Sequence, residues 1–409
     1  MHSPLDRISR SLSLLRPLCL LAMLVVLCAL PSRAADVFVD CTGGTPGAFT
    51  TLQSAIDSLD FVGPHSINMI AGPCIENVLI LDRQRITFQR QTTGFGVAVI
   101  SPDPGANAVR VFDSTGIVFI EVGFDDSFNG LVVDRNSEVQ ALGCTISGNS
   151  NAGLIVRGNS TVFVSSALIQ SNAGIGINVV AGGALSVDSD VLIANNGTGV
   201  NVVNGSNVRI FAPVSISNNN IGMTAGEASN IRLFGDPAGP TPVAVNGNTS
   251  IGVNTFGGHV TMFGPVQVRN NGAGGGSFHA GVRSDDNALV VVAGSGDVDI
   301  SNNTGPGIEA TNGGTLDLAG ATIHNNTEDG VRLLGNSQIA VYPPNTNAIG
   351  NNGGHAILCD NTSNFFGDRT GLRDLLCQIS QLKGRAARSW MGTGLQDEKP
   401  APYIRSGKH

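Results

Sequence analysis

Residues 149–202 read NSNAGLIVRGNSTVFVSSALIQSNAGIGINVVAGGALSVDSDVLIANNGTGVNV, and one glycine returns through them at a fixed interval. Followed outward, Gly130, Gly153, Gly176, Gly199 and Gly222 stand 23 positions apart. Each opens a short apolar strand, such as Leu154-Ile155-Val156 or Val200-Asn201-Val202. Four positions before most of these glycines stands an asparagine: Asn149, Asn172, Asn195 and Asn218. The register continues with insertions at Asn248/Gly252, Asn303/Gly307 and Asn326/Gly330, and loses one marker at Ser277/Gly281 and at Asn352/Ala356. A strand-rich repeat of this length predicts a solenoid, because no single unit can bury its apolar face without its neighbours.

Around the glycine the pattern has period two, as a strand with one buried face requires. A second apolar strand follows, as in Val162-Phe163-Val164, and a third precedes the asparagine, as in Val191-Leu192-Ile193. Three strands per turn are therefore expected. Stacked coils lie about 4.8 Å apart, close enough for side-chain amides to bond along a column. Asn149, Asn172, Asn195, Asn218, Asn248, Asn303, Asn326 and Asn352 are read as such a corner ladder. The asparagines and column glycines would also tolerate the left-handed backbone of a tight corner. Sequons such as Asn196-Gly197-Thr198 fall in the same columns and are read as by-products of the ladder.

Residues 1–34 read as an export signal, with Arg7, Arg10 and Arg16 before the apolar run Leu18 to Leu30 and a small-x-small end at Ser32-Arg33-Ala34. A secreted or periplasmic protein is expected, with no membrane span once the signal is removed. Five cysteines then remain in an oxidising compartment. By position, Cys41 with Cys74 and Cys359 with Cys377 are each placed to staple one end, leaving Cys144 as a small core residue.

Between residues 36 and 94 the pattern changes. Leu52, Ala55, Ile56 and Leu59 share one helical face, with Thr50 or Thr51 placed to cap it, which predicts a short helix over the open end of the core. GAFTTLQSAIDSL (residues 47–59), INMIAGPCIENVLI (67–80) and RITF (85–88) resemble the opening of pectin-lyase-like right-handed parallel β-helix proteins. Their first coil typically reads G-x-F-x-T-I-Q-x-A-I and then I-x-I-x-x-G-x-Y-x-E-x-I-x-I. Cys74 stands where an aromatic residue is usual, a departure that fits a bridge to Cys41.

The resemblance covers roughly residues 36–360. It implies an all-β, single-stranded right-handed parallel β-helix of about ten or more coils with a short N-terminal capping helix. Repeats are expected over residues 95–361, and a C-terminal cap with a flexible, mildly basic tail over 362–409. Activity is not implied, since lyases, hydrolases, esterases, epimerases and adhesins share the fold.

Composition narrows the partners. With 13% charged and 5% aromatic residues and a net charge of −8, the chain offers neither the basic face nor the stacking platform that nucleic acid requires. Phosphate loops, zinc spacings and nucleophile elbows are not found in the sequence. A polysaccharide or surface glycan is the expected partner.

Chemistry on sugars needs acids and bases gathered on one outer strand face. The position two after each column glycine runs Val132, Ile155, Asn178, Asn201, Thr224, Asn254, Arg283, Glu309, Arg332, Leu358. Arg283, Glu309 and Arg332 are thus expected on successive coils, with Asp285 and Asp286 at an edge and His355 nearby. The plainer reading is a surface charge ladder. The functional reading is a face that grips an acidic glycan through the arginines, lyase- or epimerase-like. Calcium would be the cation if a lyase-like reaction is involved, although no ligand set is recognisable. The alternative is a non-catalytic surface, matrix or adhesin-like binding scaffold. Raised carboxyl pKa values beside this face would favour the enzyme, and an exposed apolar stripe along Val132 and Ile155 the scaffold. Asp125-Asp126 is read as a solvated corner, and His259, His279 and His324 as polar surface.

Overall fold

The computed structural model describes residues 34–91, 97–239, 241–275, 279–342, 347–367, 372 and 374–377. Residues 1–33, where an export signal is expected, and residues 378–409, where the flexible tail is expected, lie outside the described residues. Strand follows strand through parallel pairings one coil apart, such as Leu131 to Leu154 to Ile177 to Val200 to Met223. The strands that follow the asparagine corner form a 13-stranded sheet, here stack I. The second and third strands of each coil, such as Thr161–Ser165 and Leu168–Gln170, join a 24-stranded sheet as stacks II and III.

A continuous apolar core fills the coils. Leu131, Val133, Val139 and Ile146 of one coil lie over Leu154, Val156, Val162 and Ile169 of the next, all buried. Phe88, Phe119 and Phe124 fill the N-terminal end, with ring centroids 4.8 and 5.1 Å apart. The one helix among the described residues, α1 (Leu52–Asp57), turns Leu52, Ala55 and Ile56 into that core. Of the two candidate caps it is Thr51 whose side chain accepts from Ser54 N. Glu76 closes the helix start from the neighbouring coil by accepting from the backbone of Leu52 and Gln53 at 2.5 and 3.0 Å. Disulfides join Cys41 to Cys74 and Cys359 to Cys377, and Cys144 is free and buried.

The asparagine ladder departs from the expected register at two rungs. The bonded column is Asn149, Asn172, Asn196, Asn219, Asn248, Asn271, Asn303, Asn326 and Asn352, each amide donating to the next at 2.9 to 3.1 Å. Asn195 and Asn218 are not rungs. They take the left-handed corner one residue earlier, with φ of 56° at both. The same corner is occupied by Gly148, Ser171, Gly247, Asn270, Asn302, Asn325 and Asn351. Asn271, 23 residues after Asn248, is a rung that the count of four back from Gly281 to Ser277 passes over, because the insertion that lengthens its coil comes after it.

The glycine column also has a different cause from the one expected. Gly130, Gly153, Gly176, Gly199 and Gly222 are not in the left-handed region, so backbone freedom is not what they supply. A Cβ at Gly153 would lie 2.7 Å from Gly176 O and 2.9 Å from the Asn172 amide nitrogen, inside contact distance. The bare backbone is what lets the ladder and the next coil close up.

The stacks continue past residue 361, where the repeat was expected to stop. Asn364–Gly367 pairs with Gln338–Val341 in stack II, and Leu375–Leu376 with Ile357–Cys359 in stack I.

Candidate functional site on the late coils of stack I

The outward column of stack I runs in register from Val132 and Ile155 through Asn254 to Arg283, Glu309, Arg332 and Leu358. Val132 and Ile155 are 2% and 7% exposed and pack with Ala152 in a small cluster of their own on the outer face. An exposed apolar stripe is therefore not present at these positions.

Two further columns flank this one, and they bring in residues that reading a single column passes over. One carries Asp285 on the coil that follows Phe256. The other carries Asp329, one residue before column glycine Gly330, with His355 aligned on the next coil. Arg283 donates to Asp285 Oδ2 at 2.8 Å and stands 4.0 Å from Glu309 Oε2. Asp285 also accepts from Asn312 at 2.9 Å. Asp286, at a left-handed corner, is exposed and stands beside the cluster rather than in it.

Arg332 reaches Glu328 Oε2 at 2.6 Å and Asp329 Oδ2 at 2.7 Å. Asp329 is nearly buried and takes three kinds of donor: the Arg332 guanidinium, the His355 backbone N–H at 2.9 Å and His355 Nδ1 at 3.3 Å. With Nδ1 on Asp329, the His355 Nε2 is the nitrogen left for a ligand. His279, expected to be plain surface, stands with Nε2 3.2 Å from Glu328 Oε1 and so belongs to the same cluster.

These contacts split the carboxyl groups. Burial pushes Glu309 above the ordinary glutamate value, against the opposing charges of Arg283 and Arg332. At Asp285 burial acts the same way but is outweighed by hydrogen bonds from Thr311 and Asn312 and by the charge of Arg283, so its value falls. Glu328 is likewise held down, hydrogen bonds from His279 and Arg332 overcoming its burial. A carboxyl with raised proton affinity thus lies among carboxyls whose affinity is lowered.

The arginines were expected to be open to a glycan carboxylate. Their side chains are 14% and 25% exposed and already carry carboxylate partners. Asp285, Asp286, Glu328 and Asp329 against Arg283 and Arg332 leave the face net negative even with Glu309 neutral.

Other expected features lie elsewhere. Asp125 is half-buried and accepts from the backbone and hydroxyl of Ser147 at 3.0 and 2.7 Å, while Asp126 is an exposed corner residue. His259 and His324 face outward from the other two stacks. The one set of three metal-ligating side chains that converges among the described residues is Cys41, Cys74 and Glu76. Its cysteines are bonded to each other and its glutamate caps α1, so it is not a cation site. No described helix is long and apolar enough to cross a membrane.

The family described as "Right handed beta helix region" matches residues 97–271. The fold is the right-handed parallel β-helix. This is the fold of the pectin-lyase-like superfamily, and the opening motifs of the chain resemble that superfamily. Among solved structures, the chain is similar to the A-module of the mannuronan C-5 epimerase AlgE4 from Azotobacter vinelandii, at 14% identity and a TM-score of 0.48, over 81% of this chain and 95% of that one. It is also similar to the pectin methylesterase of Aspergillus niger (12% identity, TM-score 0.28, 88% and 93% covered). A third is the pectate lyase Pel9A (13%, TM-score 0.33, 78% and 80% covered). No curated protein sequence matches.

Proposed function

We propose that this is an exported protein that acts on polysaccharide at the late coils of stack I. The observation that carries the reading is Arg283, set between two carboxyl groups whose proton affinities are pushed in opposite directions, Glu309 up and Asp285 down. Such a pair is how one site supplies both an acid and a base. Glu309, with its proton affinity raised by burial, is the group assigned to give the proton that a leaving glycosidic oxygen needs. Asp285 is the carboxylate that activates water or meets the positive charge developing on the sugar. The net negative face suits a neutral sugar at the reacting position. Two disulfides fit an oxidising compartment.

A second reading, elimination or epimerisation on an acidic glycan, is favoured by His355. Its Nδ1 is seated on nearly buried Asp329, which leaves Nε2 as a base for a carbon-bound proton, and Arg332 stands beside it to neutralise a uronate. That chemistry requires Arg332 to exchange its own carboxylates for the substrate's.

Purified protein with neutral and acidic polysaccharides separates the readings. Release of reducing ends without ultraviolet absorbance supports hydrolysis, and absorbance from unsaturated uronate supports elimination. Inversion of uronates seen by proton NMR supports epimerisation. Binding with no reaction of any kind would leave a glycan-binding scaffold.

A further inference from the structure

Seven coils before Arg283, roughly 34 Å along the axis at the usual strand spacing, the outer face of stack I collects positive charge instead. Arg110 comes from the strand Asn107–Phe112, and Arg157 directly follows Ala152–Val156, two coils on. Both donate to Oδ2 of Asp134 on the coil between them, at 3.0 and 2.9 Å. Arg135, the next residue, is exposed and lies 4.3 Å from the centroid of the Phe112 ring, which Arg110 also covers at 4.8 Å. Three guanidiniums on three successive coils are thus held by one nearly buried carboxylate and one aromatic ring.

That arrangement fixes guanidinium forks in place without cancelling them. Arg110 and Arg157 keep 38% and 43% of their side chains exposed while sharing a single negative charge. On the three coils that carry them, the guanidiniums outnumber the acids at this edge, Asp134 and the exposed Asp113; Asp82 stands one coil further out. Between it and the late coils the outward column is Val132, Ile155, Asn178, Asn201, Thr224 and Asn254, with no charge to neutralise either end. Planar, pre-set forks that are weakly hydrated are the groups best suited to oxyanions.

We infer that Arg110, Arg135 and Arg157 form an anion-binding subsite, which takes a carboxylate, sulfate ester or phosphate carried by a chain lying along stack I. This deepens the proposed function, on which the choice of a glycan as the carrier rests; the anion binding itself does not depend on the late coils. The substrate would then carry an anionic substituent several sugars away from the reacting residue.

Calorimetric titration of the full protein at low ionic strength tests this, with trigalacturonate, a sulfated trisaccharide, inorganic phosphate and neutral cellotriose as probes. A trisaccharide is too short to reach the late coils. The inference expects anionic probes to bind, cellotriose not to, and affinity to fall as salt is added. Which anion binds tighter distinguishes carboxylate from sulfate or phosphate. Arg135→Glu should weaken binding roughly tenfold or more, as loss of a charged hydrogen bond implies. Arg157→Lys, which keeps charge but loses the fork, should weaken it less, and Glu309→Gln should leave it unchanged. Equal binding of neutral and anionic probes, no binding, or undiminished affinity in both arginine variants would overturn the subsite. Loss of turnover in Glu309→Gln with anion binding intact would concern only the late-coil proposal.

Discussion

Asn172 donates its side-chain N–H to Oδ1 of Asn196 at 2.9 Å across one coil, although 24 residues and not the regular 23 separate them. The extra residue is taken up earlier in the coil, where Ser189 and Asp190 are both left-handed and the register passes from 23 at Ser165 and Asp188 to 24 at Leu168 and Leu192. Asn195 holds the left-handed corner that Ser171 holds one coil before. Adjacent asparagines therefore have different jobs. Oδ1 of Asn196 accepts from the backbone and side chain of Asn172, and its amide donates to Ile169 O and Asn219. Asn196→Ala strips all of these inside the core and should cost about 3 kcal/mol. Asn195→Ala loses no rung, and only a left-handed Cβ has to be accommodated, at about 1 kcal/mol. Urea unfolding of the two variants measures the difference.

Gly176 and Gly205 provide a second contrast. A Cβ at Gly176 would meet Gly199 O at 2.7 Å and the Asn196 amide at 2.9 Å, so Gly176→Ala is overpacking and should cost about 2 to 3 kcal/mol. Gly205 has φ of +71° and open space around it, so Gly205→Ala should cost only about 1 kcal/mol of backbone strain. Equal melting shifts would contradict the packing role of the column.

The strand repeat, the stack I column and the two cysteine pairs were legible because each depends on counting along the chain. Two corner functions that share one neighbourhood were not. In Asn195-Asn196 and Asn218-Asn219 both residues are asparagine, and composition cannot say which turns the corner and which bonds. The site was half legible for a related reason. Arg283, Glu309 and Arg332 share one column and were found together. Asp329, His279 and Glu328 reach the site from other columns and from a corner. Reading the position before each column glycine would have placed Asp329 beside His355. Arg110 and Arg157 stand around Asp134 at the other end of the same face, where the column residues Val132 and Ile155 are aliphatic.

Thiol chemistry follows from burial. Cys144 has its thiol pushed up to about 12 by burial, so a thiol reagent should leave it untouched in the native protein and modify it only on unfolding. Replacing Cys41 and Cys74 by serine should lower stability by roughly 3 kcal/mol. Labelling of one thiol per folded molecule would contradict this.

The carboxyl split has a pH signature. Glu309 has its value raised by burial, so its proton is present below that value and lost above it; activity should fall as pH rises past the ordinary carboxylate range. Asp285 has a lowered value and stays ionised until pH falls below that range, so the acid limb should lie lower than for a solvated aspartate. Carbon-13 titration of the side-chain carboxyls reads both directly.

The most direct test of the central claim is reducing-end release from polysaccharide by the wild-type protein and by Glu309→Gln, with melting temperatures measured alongside. The account predicts cleavage by the wild type and a loss of about a hundredfold or more in the variant at unchanged stability, the usual scale for removing a general acid. Cleavage that persists undiminished in Glu309→Gln, or no cleavage by the wild type on any glycan, would contradict it.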